Sequence, residues 1–228
     1  MSICFIVGHG KSKAGGYDPG AVYKDYHEFK IAKEIAKYAQ IYYNNTYDEL
    51  CELMNYDADK YLTERVSAVN KNDFDFVAEF HLNAGGGTGT ECYYHNGGAE
   101  GEKYAAEITT AISSALTIKN RGAKTKLNSS GKDYFAIIRD TKPTAVLIET
   151  AFIDSEDIKR IETPEGQKMC GEAIAKAVAK VRGAKFKPVA LENNKIYRVQ
   201  VGAFRNKDNA QALLEKLKEA GFEDAFIK

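Results

Sequence analysis

No run of roughly 18 apolar residues occurs in this 228-residue chain, so no membrane-spanning helix is expected. Charge of one sign is also missing. Lys+Arg is 32 and Asp+Glu is 32, a formal net charge of zero. That balance speaks against a broad basic footprint for nucleic acid and against a charge-driven membrane dock. The amino terminus, Met1-Ser-Ile-Cys-Phe-Ile-Val-Gly8, has no basic stretch and only five apolar residues in a row. It does not read as a secretion leader. The four cysteines (Cys4, Cys51, Cys92, Cys170) form no C-x-x-C pair. Such spacing suits thiols kept reduced, so synthesis in a cytoplasm is expected, with another route out for any work beyond it.

What is present is an ordinary globular composition, 44% hydrophobic and 28% charged. The length allows one domain with a real core plus a small second module. Short apolar runs predict strands over residues 3–7, 49–54, 74–82, 90–94, 134–138 and 144–148. Helical spacing predicts helices from Glu28 to about Tyr43 and over 61–69, 99–116, 155–161 and 164–181. In the first of these Ala32, Ile35, Ala39 and Tyr42 form one stripe. Alternating strands and helices predict an α/β fold, a mostly parallel twisted sheet flanked by helices. Residues 183–194 lack periodicity and read as a linker. Beyond it a strand over 196–201, a helix over 208–220 with Ala212, Leu213 and Leu217 inward, and a strand from 224 to 227 make a small β-α-β unit. At about 34 residues it is too small to fold well alone.

In parallel sheets ligands bind beyond the carboxyl ends of strands. Three predicted strands end there in polar residues: His9 between two glycines, His81 before Leu-Asn-Ala84, and Glu149 before Thr-Ala-Phe152. Glu28 opens the first helix in register with its apolar stripe, where a carboxylate is costly unless paired or metal-bound. Glu79 shares a strand face with His81 and is a rival for any role there. His27 points about 100° away from Glu28. Two histidines and a carboxylate are a recurrent set for catalytic zinc, and a further glutamate can serve as general base. The spacings of 19 and 53 residues match no short metal motif.

Taken together, these segments resemble the zinc N-acetylmuramoyl-L-alanine amidases of the amidase-3 type, which cut bacterial peptidoglycan. The matching pieces are Val7-Gly8-His9-Gly10, Asp18-Pro19-Gly20-Ala21, Glu28, Phe80-His81-Leu82-Asn83-Ala84, Ile138-Arg139, and Pro143 through Glu149 to Ile153. They occur in family order over about residues 1–182. A Lys11-Ser-Lys-Ala14 stretch departs from the pattern. The resemblance implies that His9, Glu28 and His81 hold zinc and that Glu149 is catalytic, with Asn83 or Arg139 positioning the stem peptide. The tail, Tyr197 to Phe204 with Asn209-Ala210 and Leu217 to Phe222, is similar to one half of a SPOR peptidoglycan-binding repeat. That implies wall binding, and two chains completing one module would make a homodimer through residues 195–228. The resemblance and the missing leader together point to a phage or prophage endolysin, with a sporulation mother-cell lysis amidase as the alternative setting. A zinc peptidase and a non-catalytic wall-binding protein are the rival functions.

Overall fold

Alternate side chains of a strand face opposite sides of its sheet, so a strand buried on both sides must be apolar throughout. β1 (Ser2–Val7) meets that condition, with Ile3 to Val7 all fully buried. The computed structural model describes residues 2–188 and 199–227, and divides the chain into two units meeting at Pro188 and Val189.

In the first unit two short hairpins follow β1: β2 (Gly10–Lys11) with β3 (Tyr17–Asp18), and β4 (Val22–Tyr23) with β5 (Tyr26–His27). They lead into α1 (Glu28–Thr46). Next come β6 (Leu50–Met54), α2 (Leu62–Lys71), β7 (Phe76–Asn83), β8 (Thr90–Tyr94), α3 (Ala99–Leu116) and β9 (Asn120–Lys124). The unit closes with α4 (Ala136–Arg139), β10 (Thr144–Phe152), a 3-10 turn (Glu156–Arg160) and α5 (Pro164–Arg182). Six strands form one sheet in the order β6-β1-β7-β10-β8-β9, in which only the β10–β8 pair is antiparallel.

Residue parity divides the core. Ile3, Phe5, Val7, Phe76, Ala78, Phe80, Val146 and Ile148 belong to a large cluster that includes the buried stripes of α1, α3 and α5. Cys4, Ile6, Val77, Ala145 and Leu147 face the other way, with Val69 of α2 and Ile137 and Ile138 of α4. Along that second face the residues at the carboxyl ends of β7 and β10 are Glu79, His81 and Glu149. The stripe of α1 ends in Tyr43, which is fully buried, rather than in Tyr42. A step of four from Ala39 keeps the stripe on the sheet.

Two sequence expectations fail in this unit. Residues 134–138 were expected as a strand, but 136–139 form α4. β10 already has β7 and β8 as neighbours, so this apolar run covers the sheet face instead of joining an edge. The polar strand β9 was not expected. Its Asn-Arg-Gly-Ala-Lys sequence has no apolar alternation and pairs only with β8.

The linker read over 183–194 begins in contact with the first unit: Phe186 bridges Tyr47, and Lys187 N–H donates to Thr46 O at 2.8 Å. Residues 189–194 lie outside the described residues.

The second unit holds α6 (Lys207–Glu219), whose amino end is capped by the Asn206 side chain. Gly221, at φ +94°, ends it in the left-handed region that glycine favours. Leu213 and Leu217 are half-buried, but Ala212 is exposed and not inward. The expected β-α-β unit is corrected: residues 199–201 and 224–227 form no strand, and 196–198 lie outside the described residues. A strand needs a ladder partner, and none is present among the described residues of this unit. Among the described residues no helix is long and apolar enough to cross a membrane.

Candidate metal centre

β1 ends at Val7, and the next residues turn sharply. His9 takes φ +61°, an uncommon conformation for a residue with a Cβ. Its carbonyl is held from two sides, by Asn55 Nδ2 at 2.8 Å and Arg65 Nη1 at 3.1 Å. Two glycines make room for the rings. A Cβ on Gly8 would lie 2.2 Å from the His81 ring, and one on Gly20 would lie 2.5 Å from Glu28 Oε2.

Glu28 is the first residue of α1, where the helix amino end favours an anion. Its Oε2 accepts the Ala21 N–H at 2.7 Å, and its Oε1 accepts the Leu82 N–H at 3.0 Å. The same Oε1 lies 2.9 Å from His81 Nδ1 and 3.3 Å from His9 Nε2. Ligand atoms of His9, Glu28 and His81 thus fall within 4.8 Å of one another. The spacing of 53 residues from Glu28 to His81 is spanned by α1, β6 and α2, which return the chain to the centre of the sheet.

A carboxylate stands behind each imidazole. Asp18 Oδ2 is 3.0 Å from His9 Nδ1, and Glu79 Oε2 is 3.3 Å from His81 Nε2. Glu79 is buried and bound by Arg65, whose Nε donates to Oε1 at 2.8 Å. His27 Nδ1 is buried without a partner, and His27 is not in the cluster.

Burial opposes charge on all these groups, and their mutual contacts overcome it. The two histidines hold the Glu28 carboxyl far below the usual carboxylate range. Hydrogen bonds to Glu28 and Asp18 raise the His9 pKa, and Glu28 with Glu79 raises that of His81. Arg65 and His81 hold Glu79 at about 2.

Glu149 behaves in the opposite way. It lies beside His81 in the β7–β10 ladder and beside Glu91 in the β10–β8 ladder. Its Oε2 is buried with no hydrogen-bond partner. Burial, reinforced by Glu28 and Glu91, lifts its pKa to about 7.

A cavity of about 620 Å³ opens over these groups, lined among others by His9, Glu28, His81, Asn83, Arg139 and Glu149. Asn83 Nδ2 donates to Glu91 Oε1 at 2.8 Å. Arg139 is tied to the carbonyls of Asp133 and Tyr134 and to Asp140.

Glu91 itself had been missed. It is a buried carboxylate bonded by Arg121, Lys124, Tyr93 and Asn83, and held at about 2 by those contacts against its burial. A charge between two apolar-face positions of a short strand was its only sequence signal. Arg65 and Asn55 had none, since each acts on the site across about 50 residues of chain.

Two imidazole nitrogens and one carboxylate oxygen, converging at the floor of an open cavity, fit a divalent metal with a free coordination position. The carboxylate behind each ring fits too, because such partners orient metal-bound histidines.

Residues 3–180 match the N-acetylmuramoyl-L-alanine amidase family profile, and residues 172–228 match the SPOR domain. The chain is 30% identical over 217 residues to the sporulation-specific N-acetylmuramoyl-L-alanine amidase of Bacillus subtilis (strain 168), covering 93% of this chain and 81% of that protein. Among solved structures it resembles Cwp6 from Clostridium difficile with a TM-score of 0.71 and 30% identity. That match covers 79% of this chain and 29% of the other. The catalytic domain of the CD27L endolysin targeting Clostridia Difficile is matched with a TM-score of 0.63 and 27% identity, over 79% of this chain and 97% of that one.

Proposed function

The chain belongs to the N-acetylmuramoyl-L-alanine amidase family, and on that premise we propose that its metal centre is a zinc site serving amide hydrolysis. The enzyme hydrolyses the amide between N-acetylmuramic acid and L-alanine in bacterial peptidoglycan. His9, Glu28 and His81 hold the zinc, through the three atoms that converge in the cavity floor. Bound there, zinc supplies Lewis-acid polarisation of the scissile carbonyl and lowers the pKa of water toward neutrality.

Glu149 is the proton carrier. Its unpartnered Oε2 takes the proton of the attacking water and returns it to the departing L-alanine amine. In the metal-free protein burial raises its pKa well above the usual carboxylate range, which favours a carboxyl that can take up a proton and give it back. Glu28, fully ionised, keeps its two backbone N–H bonds and so stays fixed during the reaction. Asn83 and Arg139, on the cavity wall, position the stem peptide.

The observation that carries this reading is the convergence of His9, Glu28 and His81 beside the raised pKa of Glu149. The test is digestion of purified peptidoglycan by zinc-loaded protein, followed by identification of the newly exposed amino-terminal residue. L-alanine is expected. Another residue supports a zinc peptidase, and no new amine supports a non-catalytic wall-binding protein.

The SPOR match at residues 172–228 supports peptidoglycan as the partner of the tail. The exposed Val199, Val201, Phe204, Phe222 and Phe226 support pairing of two tails into a homodimer through residues 195–228. Light scattering on the full chain and on residues 1–188 tests it; the same monomer mass in both would eliminate the dimer. The setting is that of an endolysin made in the bacterial cytoplasm and acting on the wall after release. Similarity to the sporulation-specific relative runs over 93% of the chain, and favours release during sporulation as a second reading. Transcript timing separates them: a rise on prophage induction against a rise late in sporulation.

A further inference from the structure

Helix α2 contributes nothing to the ligand set, yet one of its side chains touches both histidines' surroundings. Arg65 is buried, and its guanidinium makes three contacts. Nε donates to Glu79 Oε1 at 2.8 Å, and Nη1 donates to His9 O at 3.1 Å and Lys60 O at 3.2 Å. The other oxygen of Glu79, Oε2, stands 3.3 Å from His81 Nε2. That ring nitrogen is buried and makes no hydrogen bond in this structure, so the Glu79 contact is one of charge and proximity, while the opposite nitrogen, Nδ1, faces Glu28.

We infer that Arg65 and Glu79 are positioning residues of the metal centre: Arg65 fixes the Glu79 carboxylate so that Oε2 accepts the Nε2 proton of His81, leaving Nδ1 as the ligand atom. The inference rests on the metal reading above. The sequence made Glu79 a rival ligand, but the structure turns it to the far side of the His81 ring. Arg65 couples this to the other histidine, because the same guanidinium holds the carbonyl of His9 at φ +61°. Asp18 does for the His9 ring what Glu79 does for His81. The difference is that Asp18 is partly exposed, whereas Glu79 is 2% exposed and its orientation is dictated by one buried cation.

That dictated orientation makes the isosteric change Glu79→Gln informative. Arg65 Nε demands an oxygen opposite it, so the amide oxygen must occupy the Oε1 position. The amide NH₂ then faces His81. With a metal on Nδ1, His81 Nε2 carries a proton, and two donors oppose each other. Volume and packing are unchanged.

The experiment is zinc titration of the full chain against a chromogenic chelator, for the parent, Glu79→Gln, and Arg65→Met/Glu79→Gln. The parent is expected to take up one zinc. Glu79→Gln is expected to bind it about 10–100-fold more weakly, with an unchanged far-UV spectrum. In the double variant the amide is free to turn its oxygen toward His81, and His9 O keeps its bond from Asn55 Nδ2, so most of the lost affinity returns. Replacing both partners of a buried ion pair by neutral groups leaves no uncompensated charge, so this variant folds even if the single one does not. A second readout is the His81 ring Nε2–H resonance of the zinc-loaded protein. It should be slow to exchange in the parent, faster in Glu79→Gln, and slow again in the double variant. Parent-like affinity and exchange in Glu79→Gln would overturn the inference, and so would a double variant as weak as the single one. A parent that takes up no zinc removes the metal reading itself and this inference with it.

Discussion

Residues 2–188 bury every position of β1 from Ile3 to Val7 and nearly all of β7 and β10, whereas α6 in the tail buries none of its thirteen residues. The two regions have similar raw material. The tail's Val199, Val201, Phe204, Phe222 and Phe226 are as apolar as Phe76, Val77 and Phe80 of β7, but they are exposed. What differs is layering. In the first unit helices cover both faces of the sheet, and each apolar face finds a partner. Among the described residues of the tail one helix has no sheet to cover. The lesson is that chemistry sits where layering is most complete: the carboxyl ends of buried strands hold polar groups in place because the rest of each strand is packed on both faces.

The sharpest break in this contrast should come at Glu149. Glu149→Gln keeps shape and is expected to retain zinc, while losing about 10²–10⁴-fold in kcat, the usual contribution of a general base. Measured on a soluble muramoyl-peptide, Leu213→Ala in α6 should leave kcat unchanged. Loss of zinc from Glu149→Gln would make it a ligand instead.

Stability should divide the regions next. Phe80 is fully buried at the centre of β7, so Phe80→Ala should cost about 3–5 kcal/mol in urea unfolding. Leu213→Ala, at a half-buried tail position, should change the stability of the main transition by less than about 0.5 kcal/mol. Equal effects would mean that the tail unfolds with the body.

A smaller effect concerns pH. In the metal-free protein Glu149 has its pKa raised to about 7, so the folded state holds a proton that the unfolded state has released. The stability this carries is full below the ordinary carboxylate pKa and is lost as pH rises through about 7. Metal-free Glu149→Gln lacks that loss. Above pH 7 it should be more stable than the parent by about 3 kcal/mol, with no advantage at pH 4. An advantage independent of pH would place its origin in packing rather than ionisation.

The least change is expected from removing the tail. Residues 1–188 should keep the parent's midpoint of thermal unfolding and its activity on soluble substrate. Their retention on sedimented peptidoglycan should fall. Retention unaffected by the deletion would contradict wall binding by the tail.

Much of the site was legible because its residues interrupt patterns. His81 and Glu149 each close an apolar run, and Glu28 sits in register with an apolar helical stripe. The supporting residues break no such pattern. Arg65 reads as one more charge on a helix, and only the fold shows it reaching Glu79 and His9. Glu91 acts on Glu149 across a ladder of antiparallel strands, a pairing that no local spacing encodes. The α4 segment was misread for a related reason. Tyr-Phe-Ala-Ile-Ile suits a strand locally, but both sides of the strand that follows it, β10, are filled by β7 and β8. In the tail the alternation is present in the sequence, and the described residues hold no partner strand.

The central claim, that these three strand-end and helix-start residues form a zinc site, is tested most directly by anomalous scattering at the zinc edge from crystals of the zinc-loaded protein. The account predicts a single peak ringed by His9 Nε2, Glu28 Oε1 and His81 Nδ1, with Glu149 facing it across the cavity and Glu79 behind the His81 ring. A peak bound by Glu79 or Glu91, or none within reach of Glu28, would contradict it.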